Sequence, residues 1–314
     1  MTMDRLCVFA GNANRPLATA ICDNLGGELS PLDIARFSND NLFVRVLANV
    51  RERDVFVIQP FTEPVSNHIM ELFIIMDALR SASARRITAV IPYFSYARSD
   101  KKDAPRISIT ARLMADLIKA AGADRVLTMD LHSDAVHGFF SIPVDHLTAT
   151  PLIANHIKET TDLSKAVAVA TDAGGAKRVG KFAALLKVPM AIIDKRRVAD
   201  SKVLQGLVVG DVRGKDAIIF DDEISTGGTL AATARTLKSA GVKKMIMGAT
   251  HAVLCGNARD NLTASGVQRF VVTDTVRIGN AKQMDSIKVI SVAPLIAEAI
   301  KRIHTGESVG ALFR

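Results

Sequence analysis

Residues 217–230, AIIFDDEISTGGTL, hold the densest set of groups that could do chemistry. An apolar, β-branched run ends in two adjacent carboxylates, Asp221 and Asp222. Ser225, Thr226, Gly227, Gly228 and Thr229 then lead into a segment of helical spacing. Glycines at a helix N-terminus expose backbone N–H groups, which suits a phosphate. Carboxylates at a strand end suit sugar hydroxyls or a cation. A capped turn beside a solvated acid pair is the plain alternative, but the length and order of the features favour a binding loop. Gly228 is the position where a Cβ is expected to crowd both the turn and its anion.

Other groups stand at strand ends as well. His132 follows RVLTMDL, where a lone histidine is ordinarily a surface or capping residue. Asp172 lies in TDAGG, and a carboxylate is a natural ligand for a hard cation such as magnesium. Lys195, Arg196 and Arg197 follow MAIID. Three cations in a row are commonly a solvated loop, yet phosphoryl transfer also needs such charges, because negative charge spreads over the phosphoryl oxygens. GAKRVGKF nearly spells a phosphate-binding P-loop and fails at Phe182, where Ser or Thr should reach magnesium. It reads as a basic helix. No Ser or Cys is placed as a covalent nucleophile.

The elements that must position these groups alternate. VFVIQ reads as a buried strand, Val65–Arg80 as a helix with Ile69, Leu72, Phe73, Met76 and Leu79 at helical spacing, and ITAVIPYF as a strand. Thr110–Ala121 follows as a helix and RVLTMDL as a strand. From Pro151 the alternation restarts with AVAVATD, a helix through Phe182, PMAIID and DAIIFDDE. Such alternation implies an α/β fold of two similar domains, each a mostly parallel sheet flanked by helices, with ligand sites at the carboxyl ends of strands. The halves are placed at 1–148 and 149–314, with the extreme C-terminus able to return to the first. They look like diverged copies: VFVIQ, helix, SASARRITAVI parallels AIIFDD, helix, SAGVKKMIMGA.

Composition narrows the partners. A 314-residue chain with 48% hydrophobic and 23% charged residues is globular. Its net charge of +8 suits nucleic acid or small polyphosphates, but with no Trp and two Tyr there is little to stack bases on. Nucleic acid is therefore not expected. Three scattered cysteines indicate neither a disulfide framework nor a zinc cluster, and no 18-residue apolar run or export signal occurs. A cytoplasmic protein with no membrane partner is expected.

The 217–230 stretch resembles the 5-phosphoribosyl binding loop that phosphoribosyltransferases share with ribose-phosphate pyrophosphokinases. PVSNHIMELFIIMDALRSASA, IPYFSYARSDKK, MDLHS, TDAGGAKR and IIDKRR resemble the pyrophosphokinases in order and near-family spacing, from about Phe37 to the C-terminal SVGALF. The resemblance implies a phosphoribosyltransferase-like fold and transfer of pyrophosphate from ATP to ribose 5-phosphate. It makes Lys195 and Arg197 catalytic, and His132 and Asp172 ligands of Mg2+, with His132 also contacting ATP. Phe37, Asn39, Asp40 and Asn41 would reach the adenine of a neighbouring subunit, and Arg98, Ser99, Asp100 and Lys101 would form a loop over the nucleotide. Asp221, Asp222 and 225–229 would hold ribose 5-phosphate. A homo-oligomer, hexamer or smaller, with active sites shared between subunits is implied. The rivals are a catalytically silent regulatory subunit, which would be expected to lose the cationic loop, and a phosphoribosyltransferase, which would not need TDAGG and KRR together.

Departures from the commonest family pattern are Ser225 for Asp, Asn41 for Glu, Ser99 for Gln and Gly310 for Ser, the last near the family's phosphate and ADP regulatory site. Asn41 offers a donor as well as an acceptor, so it rejects a base with a carbonyl at that edge less well than Glu does. ATP is expected to be preferred over GTP by a smaller margin than in relatives with Glu. Asn41→Glu should raise the ATP/GTP ratio of kcat/KM by about ten- to a hundredfold; an unchanged ratio would show that residue 41 does not read the base.

Overall fold

The computed structural model describes residues 5–194, 197–198, 202–203 and 207–313. It divides into two compact units. One runs to Thr148 and takes back 275–277 and the chain from Ser291 onward; the other comprises Ala149–Asp274 and Ile278–Ile290.

The first unit contains β1 (Leu6–Ala10), α1 (Arg15–Leu25), β2 (Leu32–Arg36), β3 (Leu42–Val46), β4 (Asp54–Ile58), α2 (Val65–Ser81), β5 (Arg86–Ile91), α3 (Thr110–Ala120), β6 (Arg125–Met129) and β7 (Val144–Leu147). β1, β4, β5, β6 and β7 form a parallel sheet in that order, and β2 and β3 a separate hairpin. β4 is buried along its whole length, as a strand covered on both faces must be. Ile69, Leu72, Ile75, Met76 and Leu79 of α2 join Phe9, Val55, Val57 and Ile91 in one core.

The second unit contains α4 (Thr150–Thr160), β8 (Ala166–Ala170), α5 (Ala176–Leu186), β9 (Met190–Asp194), β10 (Arg197–Val198), β11 (Lys202–Val203), β12 (Leu207–Val209), β13 (Asp216–Ile224), α6 (Gly228–Ser239), β14 (Lys244–Ala252), α7 (Ala258–Ser265), β15 (Arg269–Thr273) and β16 (Ile287–Ile290). Its sheet runs β12-β9-β8-β13-β14-β15-β16, parallel except for the antiparallel β12, while β10 and β11 pair with each other. β9 and β13 flank β8 on opposite sides, so the strand order reverses at β8 and β13. Parallel sheets bind ligands at the carboxyl ends of strands at such a reversal. The two segments read as copies, β4-α2-β5 and β13-α6-β14, are both strand–helix–strand units with adjacent parallel strands. Each returns through a left-handed residue, Ser83 or Gly241.

α8 (Ala293–Thr305) belongs to the first unit and packs against α1. Its tie is ionic. Asp54 is 7% exposed and accepts from Arg86 Nε at 2.8 Å and Nη2 at 2.5 Å, and its Oδ2 lies 2.8 Å from His304 Nδ1. Arg86 Nη2 also donates to the Ile303 carbonyl at 2.9 Å. Among the described residues no helix is long and apolar enough to cross a membrane. Asp54→Ala strands Arg86 and His304 beside an unfilled acceptor site. It is expected to cost about 2–3 kcal/mol in urea unfolding, below the full value for a buried pair because Arg86 is partly exposed; a loss within error of zero would remove this cluster from the unit's stability.

Candidate active site

Parallel pairing brings β8 and β13 to different heights. Phe220 is the last β13 residue opposite β8, at Ala170, whereas pairing with β14 continues to Ile224. Asp221 and Asp222 therefore project past the end of β8, beside Thr171 and Asp172. Arg178 of α5 meets them there: its Nη1 donates to Asp221 Oδ1 at 3.0 Å and to Asp222 Oδ1 at 2.6 Å. Thr171 Oγ1 donates to Asp221 Oδ2 at 3.0 Å, and the Asp222 N–H to Asp221 Oδ1 at 3.0 Å. Burial, aided by the hydrogen bond and charge of Asp222, pushes the Asp221 carboxyl up to about 7, against the pull of Arg178 and Thr171.

The segment GAKRVGKF is helical, as α5, and Phe182 explains why it is no P-loop. Its ring is fully buried and stacks on Phe220 at 4.1 Å with planes 8° apart. Phe182 is therefore a core residue. It lies one helical turn after Arg178, and Phe220 immediately precedes Asp221. The stacked pair thus sets the register that brings guanidinium to acids.

The turn after β13 is built to leave N–H groups open. α6 begins at Gly228 after a left-handed Gly227 at φ 74°, and no side chain caps it. Orphan N–H groups and the helix dipole together favour an anion. Thr226, Gly228 and Thr229 are exposed, and Gly227 is buried. Asn261 Nδ2 donates to the Thr226 carbonyl at 2.8 Å, and Ser225 Oγ lies 3.2 Å from Cys255 Sγ. The expectation for Gly228 needs correction on one point. A Cβ there would meet only Thr226 Oγ1, at 3.6 Å, whereas one at Gly227 would lie 2.6 Å from Leu262 Cδ1 and 3.2 Å from Asn261 Cβ. The backbone requirement falls on Gly227.

Asp172 Oδ1 accepts from the Gly175 N–H at 3.0 Å, so this carboxylate also shapes the turn into α5. His132 is exposed after β6; the strand stops at Met129 because Asp130 takes φ 39° and the Leu131 N–H donates to His146 Nε2 at 2.8 Å. Among the described residues no three His, Cys, Asp or Glu side chains cluster as a metal cage. Phe37, Asn39, Asp40 and Asn41 form the exposed tip of the β2–β3 hairpin. There Phe37 leans on Phe43 with ring centroids 5.6 Å apart, and Asp40 pairs with Arg36 at 2.5 Å. Arg98, Ser99, Asp100 and Lys101 lie between β5 and α3. Ser99 Oγ donates to the Ser108 carbonyl at 3.2 Å and accepts from the Thr110 N–H at 3.4 Å, joining the two ends of that loop. Lys195 lies outside the described residues, and Arg197 begins β10. Arg178, Thr171 and Asn261 were missed from sequence. The signal for Arg178 was present: adjacent acids at a strand end require a nearby cation.

Comparison with known proteins covers the whole chain. Residues 6–122 match the sequence model of the N-terminal domain of ribose phosphate pyrophosphokinase, and 202–314 that of the phosphoribosyl synthetase-associated domain. The chain is 50% identical over 313 residues to a ribose-phosphate pyrophosphokinase of Deinococcus radiodurans, covering 98% of each. It is 47% identical to a putative ribose-phosphate pyrophosphokinase of Streptomyces coelicolor, over 99% of this chain and 98% of that one. The crystal structure of phosphoribosylpyrophosphate synthetase from Mycobacterium smegmatis superposes with a TM-score of 0.92 at 40% identity, covering 96% of this chain and all of that one.

The two glycines of the turn should separate on substitution. Gly227→Ala is expected to lose about 1–3 kcal/mol in urea unfolding, from a strained φ and the Leu262 contact. Gly228→Ala, in a helical first turn with room for Cβ, should stay within about 1 kcal/mol of the parent. The reverse ranking would contradict this turn geometry.

Proposed function

The chain belongs to the ribose-phosphate pyrophosphokinase family, and from that membership we propose how its residues divide the reaction. The protein moves the terminal pyrophosphate of ATP onto C1 of ribose 5-phosphate, giving 5-phosphoribosyl 1-pyrophosphate and AMP. One observation carries the division: a buried acid pair and an uncapped helix N-terminus joined by a single turn, Asp221 to Thr229. The 5-phosphate rests on the N–H groups of the 225–229 turn. Asp221 and Asp222 accept hydrogen bonds from the ribose hydroxyls. Arg178 already occupies the place of their counter-cation, so hydroxyl donors suit the pair better than a metal does.

ATP is assigned to Arg98, Ser99, Asp100, Lys101 and His132, with Phe37, Asn39, Asp40 and Asn41 receiving the adenine from a neighbouring subunit of a homo-oligomer, hexamer or smaller, in the cytoplasm. Magnesium commonly binds through one or two protein groups plus substrate phosphates, and Asp172 with His132 fits an ion of that kind better than a closed cage. When bound, it neutralises phosphate charge. The C1 hydroxyl oxygen attacks the β-phosphorus in line, its proton is lost, and the bond from that phosphorus to the AMP oxygen breaks. No covalent enzyme intermediate is needed, because orientation supplies much of the rate. Lys195 and Arg197 offset the charge that spreads over the transferring oxygens.

Incubation with ATP, ribose 5-phosphate and magnesium should release AMP together with 5-phosphoribosyl 1-pyrophosphate, and absence of AMP would overturn the reading. Lys195→Ala should lower kcat by about 10³-fold with KM for both substrates changed far less, since one preorganised charge contributes roughly 3–4 kcal/mol at a transition state. Near-normal turnover would remove Lys195 from the mechanism.

A further inference from the structure

Ionised carboxylates on consecutive residues repel, and burial makes their charge costlier still. The side chain of Asp222 is 3% exposed and that of Asp221 23%. One nitrogen of Arg178 answers both, at 3.0 and 2.6 Å. Asp221 Oδ1 is held a second time by the Asp222 N–H and its Oδ2 by Thr171, so the carboxylate plane is fixed by three donors. Arg178 is in turn held by α5, whose Phe182 is locked against Phe220. Few surface arginines are constrained in this way. The arrangement orients two acceptors toward one side of the sheet end.

We propose that Arg178 is the positioning residue for ribose 5-phosphate, keeping Asp221 and Asp222 as an oriented, ionised pair that accepts from the sugar hydroxyls. The proposal rests on the assignment of that pair to the ribose. Arg178 needs no contact with the nucleotide to act, so its influence should fall on one substrate. That separates it from a residue that merely supports the fold, whose loss would weaken both.

The test compares Arg178→Gln, Arg178→Lys and the parent, with KM for each substrate and calorimetric titration of ribose 5-phosphate. Arg178→Gln should raise KM for ribose 5-phosphate by about ten- to a hundredfold, the value of a charge-assisted hydrogen bond. KM for ATP should move by no more than about twofold. Arg178→Lys should recover part of the loss, since an ammonium restores charge without the planar fork. Parent protein that binds ribose 5-phosphate no better than Arg178→Gln does, with both folded, overturns the role of Arg178. Parent protein that does not bind ribose 5-phosphate overturns the assignment of the acid pair. Should Arg178→Gln fail to fold, Arg178→Lys decides: a rise in KM for ribose 5-phosphate alone supports the proposal, and no rise, or an equal one for ATP, overturns it.

Discussion

A strand can end in two consecutive carboxylates, one of them buried, only if a cation is held against both. In this chain that cation is Arg178, and much of the second unit is arranged around delivering it. Parallel pairing of β8 with β13 puts the helix after β8 alongside β13. Stacking of Phe182 on Phe220 then fixes how far along the strand α5 sits. A shift of one residue in either element would carry Arg178 to the wrong side of its helix or the acids to the wrong face of their strand. Packing and electrostatics are thus satisfied by the same register.

The same bridge also makes the neighbouring anion site workable. α6 starts a few residues after Asp222 with an uncapped N-terminus, whose partial positive charge favours a phosphate. Two uncompensated carboxylates close by would offset that attraction, because charges interact strongly where water is partly excluded. With Arg178 spread over both, the acids remain strong hydrogen-bond acceptors while contributing less net negative charge. A ligand carrying hydroxyls at one end and a phosphate at the other meets complementary groups at each end.

Much of this was legible in the sequence, and the shortfalls have physical causes. The helix expected at Val65–Arg80 runs Val65–Ser81, and that at Thr110–Ala121 runs Thr110–Ala120, because apolar periodicity marks a buried face well. RVLTMDL was read as a strand throughout, yet it stops at Met129. The contact responsible, a ring nitrogen of His146 on the Leu131 N–H, lies on another strand and has no local trace. Which glycine of the pair carries the left-handed turn depends on the packing of α7, so Gly227 and Gly228 look alike until Leu262 is in place. Arg178 was set aside as part of a basic helix because pairing between α5 and β13 spans 43 residues. Lys195, the residue given the heaviest catalytic role, lies outside the described residues, so that role rests on family resemblance and chemistry alone.

The two ends of the parallel strands do different work. At the amino ends of β4 and β5 stand Asp54 and Arg86, bonded to each other and to the last turn of α8, across 250 residues of chain between Asp54 and His304. These groups are largely buried and satisfied by one another, so they hold the returning helix and leave little free hydrogen-bonding capacity. At the carboxyl ends of other strands stand Asp172, Asp221, Asp222 and His132, followed by exposed turns. The asymmetry follows from the parallel sheet itself. Every strand must be re-entered at its amino end by a helix packed close, whereas loops leaving the carboxyl ends can diverge and carry polar groups without disturbing the core. Ion pairs at the amino edge can therefore be traded for stability alone. Those at the carboxyl edge must stay partly open to a ligand, which is why Arg178 remains a quarter exposed while His304 is almost wholly covered.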